Sequence, residues 1–208
     1  MERIGKLAEE ALARPPTSRR VISLAEGKGS CEGDAGRVAA ATRGIPSRYA
    51  AWRLVDYPAA VERVRQWTDG PAWSLYIEGG LGTRKTSLAA AIVVAARLGG
   101  CRAVFAPLDV TIRMVRSCCD WWLDQARECD LLALDDLGAA RDTPHYHETV
   151  GALLMHRYDR EAKTLVTSNV PLAGLAEAFD PRIADRLREG LTLYAGADSK
   201  RRDGEGGP

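Results

Sequence analysis

Residues 79–86 of the chain read Gly79-Gly80-Leu81-Gly82-Thr83-Arg84-Lys85-Thr86. A short apolar run, Trp73–Glu78, precedes this stretch, and an alanine-rich run, Thr86–Leu98, follows it. The order of strand, glycine-rich loop and helix nearly matches G-x-x-x-x-G-K-[ST], in which backbone amides and the positive helix end surround phosphates. Lys85 would reach the β and γ oxygens of a nucleotide, and Thr86 would ligate Mg²⁺. The stretch therefore predicts a phosphate-binding loop (P-loop); a plain glycine-rich turn is the alternative.

One position of this loop departs from the pattern, because Arg84 stands where the motif has its second glycine. If residue 84 has helical backbone angles, an arginine there costs little. If the position needs a positive φ or close contact with phosphate, nucleotide binding weakens by about 1–3 kcal/mol. The sequence leaves both alternatives open.

Two later stretches place polar side chains at the ends of predicted strands. The apolar run Leu131–Leu134 ends in Asp135 and Asp136. Such a pair directs one carboxylate toward a metal ion and the other toward an attacking water. The run Thr164–Thr167 leads to Asn169, whose amide can orient water near a γ-phosphate. Ordinary acidic and polar turns are the alternatives, since Asn is a favoured turn residue.

Helical and strand-like segments alternate along this part of the chain. The alternation predicts an α/β domain, in which helices wrap a parallel sheet. The predicted helices are Tyr57–Trp67, Thr86–Leu98, most of Leu108–Arg127, His147–Arg160 and an arginine-rich helix within Asp180–Arg188. The predicted strands are Trp73–Glu78, Arg102–Ala106, Leu131–Leu134 and Thr164–Thr167.

Composition and charge exclude several classes of protein. The 208 residues are 46% hydrophobic and 27% charged, which is ordinary for a globular chain and not for a disordered, collagen-like or coiled-coil one. The net charge is +1, so any contact with DNA must come from a local patch. The candidates are Arg113, Arg116, Trp121-Trp122 and the tail Lys200-Arg201-Arg202, each of which can equally be a solvated face. Adjacent helical residues point different ways, so at least one tryptophan is expected in the core.

The N-terminal part is expected to lie outside the α/β domain. Apolar residues at helical spacing predict a short amphipathic helix over Met1–Ala13, and the glycine-rich, apolar-poor stretch Thr17–Gly44 predicts a linker with room for partial order. No run approaches the ~18 apolar residues of a membrane span and the N-terminus is charged, so we expect a cytoplasmic protein. The five cysteines form no C-x-x-C pair and are expected to be reduced thiols.

From Ile45 to Arg201 the sequence resembles the AAA+ ATPases of the helicase-loader type, the group of DnaC-like loaders and IstB-like transposition ATPases. The segments that carry the resemblance are Leu75–Ala89, Asp130–Gly138, Thr167–Val170 and Asp180–Gly190. The resemblance implies an α/β, three-layer P-loop NTPase domain with a parallel sheet over residues 45–201. It leaves residues 1–44 as a short helix and flexible linker, and residues 202–208 as a flexible tail.

The resemblance also implies roles for individual residues. The catalytic residues would be Lys85, Asp136, Asn169 and Arg182, and the ligands of Mg²⁺ would be Thr86 and Asp135. The residues that bind ATP would be Gly79, Gly80, Leu81, Gly82, Thr83, Arg84, Lys85, Thr86, Ser87 and Arg201. In this scheme Asn169 is the first sensor, Arg201 a second sensor, and Arg182 a finger that acts on the nucleotide of a neighbouring subunit. The aromatic segment Tyr49–Tyr57 would line the adenine pocket.

The function implied by the resemblance is that of an oligomeric ATPase in DNA replication. Such a protein couples binding and hydrolysis of Mg-ATP to remodelling of a replicative helicase on single-stranded DNA. Two alternatives stay open. One is an IstB-like transposition helper with a transposase as its partner, and the other is a nucleotide-binding scaffold whose hydrolysis is impaired by Arg84.

Overall fold

The computed structural model describes Leu24 and residues 34–117, 120–138 and 144–196. The strands in these ranges are β1 (Ser74–Glu78), β2 (Ala103–Pro107), β3 (Leu131–Asp135), β4 (Lys163–Ser168) and β5 (Leu191–Tyr194). They form one parallel sheet with the order β2-β3-β4-β1-β5. Because β4 lies between β1 and β3, the loops that follow these three strands meet at one edge of the sheet.

Helices precede, connect and follow the strands. They are α1 (Asp34–Ala41), α2 (Ser47–Ala50), α3 (Pro58–Asp69), α4 (Lys85–Leu98), α5 (Leu108–Arg116), α6 (Asp120–Glu128), α7 (Pro144–Asp159), α8 (Leu175–Ala178) and α9 (Pro181–Arg188). Short 3-10 turns lie at Leu54–Asp56 and Leu172–Gly174. None of the helices in the described ranges has the length and apolarity that crossing a membrane requires.

Both faces of the sheet are covered, which explains why the strands are continuously apolar. Leu75 and Ile77 of β1 belong to one buried cluster with α3 and α4, and Tyr76 belongs to a second cluster with α6, α7 and α9. Every residue of α4 from Ser87 to Ala96 is buried. Its many alanines let this helix lie close to the sheet. The predicted α/β class and its three layers are therefore confirmed.

Arg157, in α7, is a buried cation that bonds several backbone carbonyls of neighbouring elements. Its side chain has no exposed surface, and its guanidinium donates to the carbonyls of Ala126 (2.8 Å), Cys129 (3.1 Å) and Lys163 (2.7 Å). It also donates to the Thr164 hydroxyl at 2.8 Å. Burial lowers the pKa of Arg157. These contacts join the end of α6 to the start of β4, so Arg157 is a structural residue that the sequence analysis did not single out.

The structure differs from the sequence prediction around α1 and β5. The predicted linker Thr17–Gly44 contains α1, whose Ala41 is 4% exposed and packs in the core. Arg97 of α4 donates to the carbonyls of Ala41 (3.0 Å) and Arg43 (2.7 Å), so this part is a packed helix and not a flexible linker. The strand β5 was not predicted, because none of its residues is fully buried and its pairing with β1 is non-local.

The stretch Leu108–Arg127, predicted to be mainly helical, forms two helices, α5 and α6. Both the amide and the hydroxyl of Ser117 bond the Arg113 carbonyl, at 3.0 and 2.8 Å, where α5 ends. In α6, Trp122 is 6% exposed and Trp121 is 59% exposed, which agrees with the expectation that one of the two is in the core. The predicted helix Met1–Ala13 and the tail 202–208 lie outside the described residues.

Candidate nucleotide-binding site

The P-loop sequence forms a tight turn between β1 and α4. A Cβ on Gly79 would clash with the Ala195 carbonyl oxygen, so only glycine fits there. Gly82 has a φ of 77°, which also favours glycine. Leu81, at the tip, is 89% exposed, whereas Ser87 is buried in the first turn of α4. The turn thus presents its backbone at the N-terminus of a fourteen-residue helix, where the amides and the helix dipole favour an anion.

Lys85 is the centre of the polar contacts in this turn. Its side chain is 7% exposed, and Nζ donates to the carbonyls of Gly79 and Gly80, each at 2.7 Å. It also donates to Oδ1 of Asn169 at 2.9 Å and to the hydroxyl of Thr83 at 3.3 Å. Burial lowers the pKa of Lys85, and the neighbouring carboxylates oppose this effect. The ammonium group is therefore held inside the loop, next to the amides that would bind phosphate.

Asn169 links the loop to the acidic pair. Its Oδ1 accepts from Lys85, while its Nδ2 donates to Oδ1 of Asp136 at 2.7 Å. These two bonds fix the orientation of the amide, since the oxygen must face the ammonium and the nitrogen the carboxylate. The sequence-predicted residues Lys85, Asn169 and Asp136 are thus brought into one hydrogen-bonded chain across the ends of β1, β4 and β3.

Asp135 lies at the end of β3 and is 8% exposed. Its Oδ1 accepts a 2.7 Å hydrogen bond from the Thr167 hydroxyl. Burial raises the pKa of Asp135, and the hydroxyls of Thr167 and Thr86 oppose the rise by hydrogen bonding. The structure therefore places the two predicted metal ligands, Thr86 and Asp135, beside each other.

The donors present fit a magnesium ion that is shared with phosphate. A buried carboxylate and a hydroxyl are hard oxygen ligands of the kind that Mg²⁺ prefers. The described ranges hold no group of three or more His, Cys, Asp and Glu residues able to bind a metal. Mg²⁺ commonly uses one or two protein ligands together with water and phosphate oxygens.

Thr167 is a site residue that the sequence analysis missed. Its hydroxyl donates to Asp135 and accepts from the backbone amide of Asp136 at 2.9 Å, and the residue is 1% exposed. Asp136 has a φ of 65°, a left-handed conformation that aspartate tolerates better than most residues. Thr167 thus sets the positions of both carboxylates, a role that follows from the β3–β4 register and leaves no motif in the sequence.

Arg84 adopts the backbone conformation that glycine normally supplies in a P-loop. Its φ is 63° and its ψ is 23°, so the strained alternative left open by the sequence is the one that the structure shows. A left-handed conformation costs a residue with a Cβ about 1–2 kcal/mol. The guanidinium carbon lies 5.0 Å from the ring centroid of Trp52, a cation–π contact. The arginine side chain therefore lies along the aromatic segment next to the loop.

The segment Tyr49–Tyr57 packs against the start of α4. Tyr49 and Tyr57 contact the buried cluster that contains α4, and the rings of Trp52 and Tyr57 are 5.8 Å apart. Burial raises the pKa of Tyr57, and the nearby Arg84 opposes this rise. The segment predicted to line an adenine pocket is thus beside the P-loop.

Arg182 is not part of this cluster. Arg182 is in the first turn of α9, its side chain is 83% exposed, and it forms an ion pair with Asp180 at 3.1 Å. Asp180 caps α9 by accepting from the backbone amides of Arg182 and Ile183. Arg201 lies outside the described residues. The Arg182 guanidinium therefore lies at the surface, paired with Asp180.

Comparisons with known proteins establish the fold. No protein-family model matches the chain, and a search of curated proteins gives no match. Among solved structures, the DnaC helicase loader aligns with a TM-score of 0.63 at 24% identity, over 73% of this chain and 100% of that one. DnaI aligns with a TM-score of 0.62 at 21% identity, over 76% and 95% of the two chains. The replication initiator DnaA bound to AMPPCP and single-stranded DNA aligns with a TM-score of 0.63 at 20% identity, over 76% of this chain and 53% of that one.

The sheet order, the P-loop and the acidic pair define a P-loop NTPase fold. More specifically, the chain shares the fold of the DnaC helicase loader, of DnaI and of the replication initiator DnaA. The resemblance inferred from the sequence is confirmed at the level of this fold.

Proposed function

We propose that this chain is a Mg-ATP-dependent ATPase that acts in DNA replication as a helicase-loader-like factor. The observation that carries the proposal is the contact of Lys85 with Asn169, and of Asn169 with Asp136, beside the Thr86 and Asp135 pair. A loop that merely connected β1 to α4 would need none of these polar groups. Together they supply what phosphoryl transfer requires, namely charge neutralisation and positioning of water.

Each of these residues has a task in the proposed reaction. Phosphate oxygens take over from the Gly79 and Gly80 carbonyls as acceptors for Lys85. Thr86 and Asp135 would hold Mg²⁺, which supplies positive charge next to the phosphates when it is bound. Asp136 polarises the attacking water, and Asn169 orients it.

Calorimetric titration with Mg-ATP tests nucleotide binding. We expect heat of binding for the wild-type chain and for Arg188→Ala, which removes an exposed positive charge at the end of α9. Lys85→Ala should lose binding, since it removes the cation that faces the phosphates. Equal affinities for Lys85→Ala and Arg188→Ala would contradict the proposal.

Phosphate release tests hydrolysis separately from binding. Asp136→Asn keeps the acceptor for Asn169 but removes the carboxylate charge, so we expect Mg-ATP binding to persist while turnover falls by about 100-fold or more. Wild-type protein that binds ATP but releases no phosphate, with DNA and partner present, would leave the scaffold function in place of the ATPase. A turnover unchanged in Asp136→Asn would exclude this catalytic role.

Two surface features support an assembly on DNA. Arg113 and Arg116 are exposed on α5, and Trp121 is exposed on the following helix, α6. Exposed positive charge and an exposed aromatic ring are the two features that bind single strands by phosphate contact and stacking. The neighbour DnaA was solved with single-stranded DNA, and the neighbour DnaC is a helicase loader. These likenesses favour a replicative helicase over a transposase as the partner.

Affinity capture from a native extract tests the partner. The chain loaded with a non-hydrolysable ATP analogue should recover a replicative helicase; recovery of a transposase instead would support the transposition-helper function.

The proposed trans action of Arg182 is tested by mixing two inactive variants, Lys85→Ala and Arg182→Ala. Activity should return in the mixture if one subunit supplies the arginine and its neighbour the lysine, and no recovery would argue against shared sites.

A further inference from the structure

The position of the Arg84 side chain has a consequence for nucleotide binding. The residue immediately precedes Lys85, yet its guanidinium lies over Trp52, 5.0 Å from the ring centroid. The left-handed backbone at residue 84 fixes the direction in which the side chain leaves the loop. The charged group is therefore held at an aromatic face by its own backbone, at a high effective concentration.

Trp52 lies beside the P-loop, since the Arg84 side chain contacts its ring. Trp52 is half-buried, and its ring contacts that of Tyr57 at 5.8 Å. Tyr57 in turn packs against the cluster that contains α4. The aromatic pair and the phosphate-binding turn are thus separated by the length of one arginine side chain.

We propose that Arg84 is a tethered competitor for the face of Trp52 on which the purine base of ATP stacks, so that Arg84 sets how much the base contributes to nucleotide affinity. The inference rests on the proposed function, because it assumes that the P-loop binds ATP. A guanidinium plane and a purine ring both stack on tryptophan, and both cannot lie on one face at the same time. The base therefore displaces Arg84 on binding.

Arg84 has two other ways to affect affinity, and both act on the phosphates. Its strained backbone belongs to the loop that surrounds them, and its positive charge attracts them. Inorganic tripolyphosphate, which has no base, responds to strain and charge but not to competition on Trp52. The ratio of the dissociation constants of tripolyphosphate and ATP, both with Mg²⁺, therefore isolates the effect on the base.

The experiment measures this ratio for four proteins: the wild type, Arg84→Asn, Trp52→Leu, and the double variant. Asparagine tolerates the left-handed conformation, so Arg84→Asn removes the guanidinium without adding strain. We expect Arg84→Asn to strengthen ATP binding relative to tripolyphosphate by about fivefold, as expected for loss of a partly exposed cation–π contact. Trp52→Leu should weaken ATP relative to tripolyphosphate. In the Trp52→Leu background, Arg84→Asn should leave the ratio unchanged.

The possible failures are distinguishable from one another. If the wild type binds neither ligand, the proposed function fails. If Arg84→Asn changes both ligands by the same factor, the chain binds nucleotide but Arg84 acts only on the phosphates, and the competition is wrong. An equal change of the ratio with and without Trp52 would also overturn it. Trp52→Leu is checked by circular dichroism, and so is Arg84→Asn, because residue 84 is half-buried.

Discussion

The Thr167 hydroxyl offers a sharp test of how the acidic pair is held. Thr167→Val removes the hydroxyl but keeps the shape of a buried β-branched side chain. Asp135 then loses a 2.7 Å hydrogen bond, and the Asp136 amide loses its 2.9 Å acceptor. Both groups lie where β3 and β4 end, so the change is local to the candidate site.

The expected loss follows from these two contacts. A hydrogen bond to a charged group contributes about 1.5–3 kcal/mol, and an unsatisfied buried amide costs about 1–3 kcal/mol. Because the two effects share one hydroxyl, we take a combined loss of about 3 kcal/mol. For a chain of this size that lowers Tm by about 6–12 °C, at 2–4 °C per kcal/mol.

The decrease in the free energy of unfolding caused by Thr167→Val should also depend on pH. Burial raises the pKa of Asp135 in the folded protein, so this carboxyl reduces stability as pH rises through its folded pKa. Thr167 counteracts that rise by bonding the charged form. Without Thr167 the folded pKa rises further, and Thr167→Val should therefore be more destabilising at pH 8 than at pH 5.

Urea unfolding at both pH values, with Asp135→Asn as the control background, measures these effects. Asparagine keeps an acceptor but carries no charge, so in that background Thr167→Val should cost less and its pH dependence should vanish. A loss below about 1 kcal/mol, or an equal loss in both backgrounds, would refute this role of Thr167.

Three further predictions concern the rest of the domain. Arg157→Met should lower the free energy of unfolding by about 3–5 kcal/mol in denaturant titrations, since it leaves buried carbonyls without donors; a neutral result would contradict the structural role. Trp122→Ala should lower the free energy of unfolding by about 3–5 kcal/mol. Trp121→Ala should leave that free energy within about 0.5 kcal/mol of the wild type and weaken binding of a fluorescent single-stranded oligonucleotide by about 1–3 kcal/mol. The reverse pattern would show that Trp121, and not Trp122, is the core residue. Asp180→Ala should cost about 1 kcal/mol at neutral pH through loss of the α9 cap. Because the Arg182 side chain holds the pKa of Asp180 below its ordinary value, that difference should shrink as pH falls through the folded pKa, and thermal melts at several pH values that show no such decrease would exclude it.

The parts of the site that the sequence predicted are those in which one short stretch carries the chemistry. Lys85 and Thr86 follow a glycine-rich turn, and Asp135 and Asp136 follow an apolar run. Strand ends in a parallel sheet share an edge, so Asn169 could be placed near them from its position alone. The structure brings these residues together as expected.

The parts that the sequence could not supply depend on pairing or backbone angles. The role of Thr167 depends on which strands are neighbours and in which register, and it has no local signal. Position 84 was compatible with two backbone conformations, and only the structure shows the left-handed one. The helix α1 was not predicted, because its stretch is poor in large apolar residues. It packs against the core with small residues such as Ala41.

A crystal structure of the chain with Mg²⁺ and a non-hydrolysable ATP analogue tests the central claim most directly. We expect the triphosphate to lie against the amides of the turn between Gly80 and Thr86, with Lys85 Nζ bonded to phosphate oxygens. The bonds of Lys85 to the carbonyls of Gly79 and Gly80, now 2.7 Å each, should then be broken. If Lys85 keeps both carbonyls at millimolar analogue and no phosphate lies in the turn, this loop is not a nucleotide site.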